Sequence, residues 1–218
     1  MSAKNTDDEH QPMNAEGRRS GMGKSRLEAF SDGVIAIIIT IMVLELNVPH
    51  TAELEGLAPI LPVFLSYVLS FIYVGIYWNN HHHMLYLVKH VGGGVLWANL
   101  HMLFWLSLFP FATGWMGENH FEPLPTALYG GVLMMCAIAY SILQYAIVHH
   151  EGRQSLLASA VRGGYKEKLS VVLYAAGIVC AFFFRYMSLV FYVTVALMWL
   201  IPDRRIERVA VEHPSREE

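Results

Sequence analysis

The sequence predicts an all-α membrane protein, and three observations support this fold class. Apolar residues make up 55% of the 218-residue chain and charged residues only 15%, whereas about a quarter of the residues in soluble domains are charged. The mean hydropathy is +0.39. The apolar residues also fall into six stretches with short polar connections between them, near residues 27–48, 57–80, 92–115, 124–147, 168–184 and 187–201.

The lengths of these stretches predict the number of membrane crossings. The first four hold the roughly 20 residues that a helix needs to cross about 30 Å of hydrocarbon. The last two are shorter and flank Arg185; they could form one bent segment, but Arg185 and Ser188 favour a tight hairpin. We therefore expect six transmembrane helices in one domain over residues 24–202. The polar segments 1–23 and 203–218 are expected to be a disordered N-terminus and a C-terminal tail.

Basic residues occur in alternate connections. They precede the first stretch and follow the fourth and sixth, whereas the connections 49–56 and 116–123 contain glutamates but no lysine or arginine. By the positive-inside rule, both termini are expected to be cytoplasmic. Arg185 is the single exception and is expected to extend to the outer interface. The chain is therefore expected to be a multi-pass protein of the cell membrane, with the lipid bilayer as its surroundings.

Several function classes lack support in the sequence. Glycine-rich phosphate loops, Cys-x-x-Cys pairs and basic aromatic patches are absent, so we expect neither a cofactor nor a nucleic-acid partner. Histidines cluster at 81–83 and 149–150. Adjacent residues on a helix point in different directions, which favours hydrogen bonds within the bundle over metal binding. A multi-histidine membrane metalloenzyme is the least favoured alternative.

The start of the first stretch is the most informative part of the chain. Residues 26–32 read R-L-E-A-F-S-D and precede an apolar run, 33–44, that contains no charge. An ionised side chain within the bilayer costs about 2.5–3.5 kcal/mol, so it marks a functional site or a structural lock. Arg26 and Asp32 are six residues apart, about 120° around a helix, and are poorly placed to pair with each other. Asp32 therefore needs partners on other helices.

Two other stretches offer such partners at the depth expected for Asp32. A buried carboxylate stays ionised only when it is paired or hydrogen-bonded, and histidine and asparagine can both donate to it. This arrangement favours a lock between helices, with a titrating gate as the alternative. The expected network joins Asp32 to Asn99 and to His81 or His82, with Arg26 and Ser31 as further members.

One face of the first helix carries a regular apolar stripe. Helical spacing places Ile37, Thr40, Ile41, Leu44 and Val48 on this face. Such stripes usually serve helix packing, so spacing alone does not assign a function to it.

The R-x-x-x-F-S-D string, followed by the apolar run and Thr40, resembles the transmembrane protein 175 potassium channels in their short prokaryotic form. The later stretches are similar to that family only in hydropathy. The residues that carry the resemblance are Arg26, Phe30, Ser31 and Asp32, supported by Pro49, Trp78, His81, His82, Asn99, Pro110 and Phe111.

The resemblance implies a homotetrameric, potassium-permeable leak channel and not an enzyme. The first helices of four subunits would line the pore, with Ile37, Ile41 and Leu44 as its constriction and Thr40 as the source of potassium preference. The Thr-Val-Gly-Tyr-Gly filter of other potassium channels is absent. A proton-leak or proton-coupled pathway, in which Asp32 and nearby histidines titrate, is the main alternative.

Overall fold

The computed structural model describes residues 15–50, 52–88, 91–151 and 165–200, and in this part of the chain the only regular secondary structure is helical. A 3-10 helix, Leu54–Ile60, leads directly into the second α-helix. The α-helices are α1 (Ala15–Leu44), α2 (Leu61–Tyr86), α3 (Gly93–Leu106), α4 (Phe109–Glu118), α5 (Pro123–Glu151), α6 (Tyr165–Ala181) and α7 (Arg185–Leu200).

Four helical segments of the described chain are long and apolar enough to cross a membrane, and they correspond to the first four predicted stretches. Helices α6 and α7 have 17 and 16 residues. At 1.5 Å per residue, α7 is about 24 Å long, which is shorter than the hydrocarbon core. The prediction of an all-α, multi-pass membrane protein is confirmed, while six crossings remain a prediction. The four spans are Gly23–Leu44, Leu54–Tyr86, Gly93–Glu118 and Pro123–Glu151.

The boundaries of the first helix differ from the expected ones. Helix α1 begins at Ala15, inside the segment 1–23 for which the sequence predicted disorder. It ends at Leu44, four residues before the predicted end at Val48. Residues 1–14 and the predicted tail 203–218 lie outside the described residues.

The third predicted stretch is divided into two helices. Helix α3 ends at Leu106, and α4 begins at Phe109 with Pro110 in its first turn. Proline has no N–H to donate to the carbonyl four residues earlier, and its ring clashes with that carbonyl. The break between α3 and α4 therefore follows from Pro110.

The centre of the bundle is a cluster of buried aromatic side chains. Tyr73 on α2 lies against Phe109 and Tyr174, and Tyr129 on α5 contacts Phe109 and Tyr192. The Tyr73 hydroxyl donates to the Tyr192 carbonyl at 2.6 Å. These contacts join α2, α4, α5, α6 and α7 through residues from distant parts of the sequence.

Helices α6 and α7 form the expected hairpin. Only residues 182–184 separate them. Arg185, at the start of α7, pairs with Glu122 before α5 at 2.8 Å. Six crossings would place both residues on the same side of the membrane, although Arg185 is an exception to the predicted alternation of charges; the sidedness stays a prediction.

Candidate functional site

Helix α1 has a stripe that packs into the bundle. Its members recur at intervals of three and four residues, which is the spacing of one face of a helix. None has more than 6% of its surface exposed. They are Leu27, Ser31, Ile35, Ile38 and Met42.

Two side-chain contacts hold α1 against α2. Trp78 Nε1 donates to Asp32 Oδ1 at 3.0 Å. One turn earlier on α1, Glu28 Oε1 lies 3.1 Å from His82 Nδ1. The His82 ring also stacks on the Trp78 indole, with their centroids 6.2 Å apart. Both acidic residues are thus held on the same face of α2.

A third contact continues this series by one more turn. Lys24 Nζ donates to the Tyr86 carbonyl at 3.1 Å and lies 5.7 Å from the centre of the Tyr86 ring. The positions advance by four along α1 and decrease by four along α2, as expected for antiparallel helices. We call this set the α1–α2 ladder: Lys24 with Tyr86, Glu28 with His82, and Asp32 with Trp78.

A separate network joins α1, α2 and α3 inside the bundle. Asn99 Nδ2 donates to Ser31 Oγ at 2.9 Å, and Ser31 Oγ donates to the Leu27 carbonyl at 2.8 Å. With this amide orientation, Asn99 Oδ1 accepts from His81 Nε2 at 2.8 Å. Ser31, His81 and Asn99 are completely buried. We call these three residues the buried triad.

The expected partners of Asp32 need correction. Its hydrogen-bond donor is Trp78 and not Asn99, His81 or His82. Adjacent residues on a helix are rotated by about 100°, so Ser31 faces the interior and bonds to Asn99 while Asp32 faces α2. The predicted single network is therefore two separate sets of contacts.

Two other residues of the motif lie outside both sets. Arg26 is exposed and forms no side-chain hydrogen bond or ion pair with the residues that the structure describes. Phe30 is 54% exposed. It lies seven residues before Ile37 and therefore on the same face of α1.

The face of α1 opposite the packed stripe is exposed. Ile37, Ile41 and Leu44 are 57%, 43% and 78% exposed. Thr40 is also exposed, and its Oγ1 donates to the Ile37 carbonyl at 2.9 Å. We call Ile37, Thr40, Ile41 and Leu44 the outer stripe. Helix packing within one subunit does not cover it.

Sequence reasoning missed Lys24 and Glu28 as contacts of α1, along with Tyr86 on α2. The spacing of these residues could have predicted the contacts. Polar or aromatic residues recur every four positions at 24, 28 and 32 and again at 78, 82 and 86, and two antiparallel helices bring such series together in reverse order.

Among the described residues, no three histidine, cysteine or acidic side chains form a group that could hold a metal ion.

The comparisons with known proteins decide the family. A potassium channel of Chryseobacterium sp. (strain P1-3) is 57% identical over 192 residues, which cover 88% of this chain and 100% of that protein. The family model described as "Endosomal/lysosomal potassium channel TMEM175" matches residues 26–110, the segment that contains the motif, most of the α1–α2 ladder and the buried triad. The chain belongs to the TMEM175 family.

A solved structure and a vertebrate protein extend this result. The crystal structure of a lysosomal potassium-selective channel TMEM175 homolog from Chamaesiphon minutus matches with a TM-score of 0.70 at 26% identity, over 84% of this chain and 98% of that one. The endosomal/lysosomal proton channel TMEM175 of Rattus norvegicus is 31% identical over 140 residues, 58% of this chain and 28% of that protein. Membership confirms the resemblance and the prediction of a channel family. It excludes the metalloenzyme alternative.

Proposed function

We propose that this protein is a homotetrameric channel of the cell membrane, with both termini cytoplasmic, that conducts potassium passively through a pore lined by α1. The name of the Chryseobacterium relative, a potassium channel, supports potassium as the permeant ion. One lining helix per chain cannot enclose a pore, so the proposal requires several copies. The number four comes from the resemblance to the family.

The outer stripe is the observation that carries this proposal. Ile37, Ile41 and Leu44 lie at i, i+4 and i+7 on one face of α1, and all three remain exposed in the subunit. Rings of such bulky apolar side chains narrow a pore and can close it by dewetting. In the tetramer, these residues form the constriction.

Thr40 supplies the polar group in this apolar surface. Its hydroxyl proton is used in the hydrogen bond to the Ile37 carbonyl, so the oxygen can offer a lone pair to a passing cation. A ring of hydroxyl oxygens replaces part of an ion's hydration shell without binding the ion too tightly to leave. We assign the preference for potassium to this ring.

The α1–α2 ladder and the buried triad have a supporting role. Together they attach one side of α1 to α2 and α3 over Lys24 to Asp32. A helix fixed in this way presents a constant face to the pore. The geometry favours the interpretation of Asp32 as a lock between helices over that of a titrating gate.

Ion currents through the purified protein in planar bilayers test this function. With opposed gradients of potassium, sodium and protons, we expect currents that reverse near the potassium equilibrium potential. Reversal near the proton equilibrium potential would favour the proton-pathway alternative, which the name of the rat relative supports. Absence of current from correctly assembled protein would contradict both.

A further inference from the structure

A small cavity lies inside the bundle, away from α1. It has a volume of about 30 Å³ and is bounded by side chains of α2, α5, α6 and α7. No residue of the outer stripe or of the α1–α2 ladder contributes to it. Its polar lining consists of Tyr77, Asn80, Tyr140, Glu167, Ser170 and Trp199, with Tyr73 and Tyr174 beside them.

Glu167 is the one carboxylate among the described residues that line this cavity, and its Oε2 is buried without a hydrogen-bond partner. Buried polar atoms in proteins are almost always bonded, and an unpaired carboxylate is among the most costly to bury. Glu167 lies in the first turn of α6, where the helix dipole stabilises negative charge. We therefore expect Glu167 Oε2 to bind a partner that is small enough to enter the cavity.

The Ser170 and Trp199 protons in the cavity wall are already used in other hydrogen bonds. Ser170 Oγ donates to the Lys166 carbonyl at 2.8 Å and accepts from Trp199 Nε1 at 2.8 Å. The Ser170 hydroxyl therefore has no second proton to give to Glu167. Its oxygen retains one lone pair.

On the α2 side of the cavity, two further side chains donate to backbone carbonyls. Asn80 Nδ2 donates to the Ile76 carbonyl at 2.9 Å, and the Tyr140 hydroxyl donates to the Asn80 carbonyl at 3.4 Å. The Ser170 and Tyr140 hydroxyl oxygens and the Asn80 side chain thus line the same cavity as the one carboxylate, together with the Tyr77 and Tyr174 hydroxyls. Carboxylate, hydroxyl and carbonyl oxygens are the ligands that hard cations prefer.

We propose that this cavity binds one monovalent alkali cation, potassium or sodium, through Glu167 and the neighbouring oxygens. The volume fits a single ion, since a bound water already needs about 10–15 Å³. One carboxylate in the wall suits a monovalent ion better than a divalent one, which would leave more uncompensated charge inside the bundle. The Lys166 ammonium lies 5.8 Å from the Trp199 ring and is bound to the Met198 carbonyl at 3.4 Å. The bound ion connects α6 to α2 and α5, at a site separate from the proposed pore.

Thermal unfolding of the purified full-length protein tests this site. The melting temperature is measured in potassium, sodium or choline chloride at the same ionic strength and pH. At about ten times the dissociation constant, an alkali cation should raise the apparent Tm by roughly 3–5 °C over choline. Equal Tm values in all three salts would overturn the proposal, because a water molecule or a proton would then satisfy Glu167.

Two variants locate the effect. Glu167→Gln should abolish the alkali-dependent rise, whereas Glu118→Gln, at an exposed glutamate, should retain it. Retention of the rise in Glu167→Gln would assign it to cations elsewhere, such as in the pore, and would overturn the proposal.

If Glu167→Gln fails to fold, a crystallographic experiment tests whether a cation binds at Glu167. Wild-type crystals are soaked in thallium(I), a potassium analogue with strong anomalous scattering. An anomalous peak within coordination distance of Glu167 Oε2 is expected. Its absence, with peaks elsewhere in the channel, would overturn the proposal. Ion currents are measured independently, so failure of the pore assignment would not be mistaken for failure of this site.

Discussion

The two halves of α1 share one packed stripe, Leu27 to Met42, but differ in the side chains outside it. From Lys24 to Asp32, its polar side chains are held by α2 and α3 through the ladder and the buried triad. From Ile37 to Leu44, the outer stripe contacts no neighbouring helix closely enough to be buried. The polar contacts of the first half add to the anchoring by the packed stripe, and the outer stripe of the second half provides the surface that the proposed pore needs.

This difference separates the effects expected of mutations. Changes in the anchored half should reduce folding or assembly, because they leave buried or half-buried partners unsatisfied. Changes in the outer stripe should leave the subunit intact and alter permeation. The following variants test this separation.

Asn99→Ala should have the largest effect on stability. It removes the central member of the buried triad, so His81 Nε2 loses its acceptor and Ser31 Oγ loses the amide donor while keeping its bond to the Leu27 carbonyl. We expect a loss of about 2–4 kcal/mol, measured as a lower Tm and less assembled protein in detergent. Leu100→Ala, at the adjacent and partly exposed position, is the control. Equal Tm values for the two variants would contradict the role of the triad.

Asp32→Ala should have a smaller effect of the same kind. It removes the acceptor of the Trp78 indole N–H at the half-buried α1–α2 contact, at a cost of about 1–2 kcal/mol. Size-exclusion chromatography should show less folded tetramer, while Asp32→Asn, which keeps an acceptor oxygen, should be closer to wild type. A well-assembled Asp32→Ala channel with altered ion preference would instead place this carboxylate in the permeation path.

Ile37→Asn should change conduction with little effect on assembly. A polar ring at the constriction no longer repels water, so the potassium leak should rise severalfold and discrimination between cations should fall. The control is Val43→Asn, because Val43 is similarly exposed on α1 but points about 120° away from Ile37. Indistinguishable currents for both variants would argue that Ile37 faces lipid.

Thr40→Ala should have the smallest and most specific effect. Loss of the hydroxyl ring should move the reversal potential in mixed potassium and sodium toward that of a non-selective pore, while Thr40→Ser should preserve it. Thr194→Ala is a matched control, since Thr194 is exposed on α7 and donates to a carbonyl in the same helix. If Thr40→Ala keeps the wild-type reversal potential, the hydroxyl has no part in selectivity.

The sequence predicted the shared face of Ile37, Thr40, Ile41 and Leu44 correctly, although it also included Val48, which lies beyond the end of α1 at Leu44; it did not predict the contacts of the anchored half. Helical spacing alone groups Ile37, Ile41 and Leu44, because such grouping depends only on the geometry of one helix. The partner of Asp32 depends on the rotation of α2 against α1, which spacing within α1 does not determine. The string F-S-D therefore indicated that a lock exists without showing that Ser31 and Asp32 serve different contacts.

The break between α3 and α4 has a local cause in the sequence, whereas the Glu167 cavity depends on contacts between distant segments. Pro110 predicts a helix break by its chemistry, although hydropathy alone merges α3 and α4 into one stretch. The Glu167 cavity is assembled from four helices, so no single segment of sequence indicates it. Such sites require the packed bundle to be known.

Thiol modification at position 37 tests most directly whether the outer stripe lines the pore. Ile37→Cys is made in a background in which Cys136 and Cys180, the two native cysteines, are replaced by alanine. A positively charged, water-soluble methanethiosulfonate reagent is then applied during potassium current recording. We expect the current to fall irreversibly, since the reagent places a fixed charge in the ion path, and to stay constant in the cysteine-free background that retains Ile37. An unchanged current despite complete labelling of the assembled protein would contradict the pore assignment.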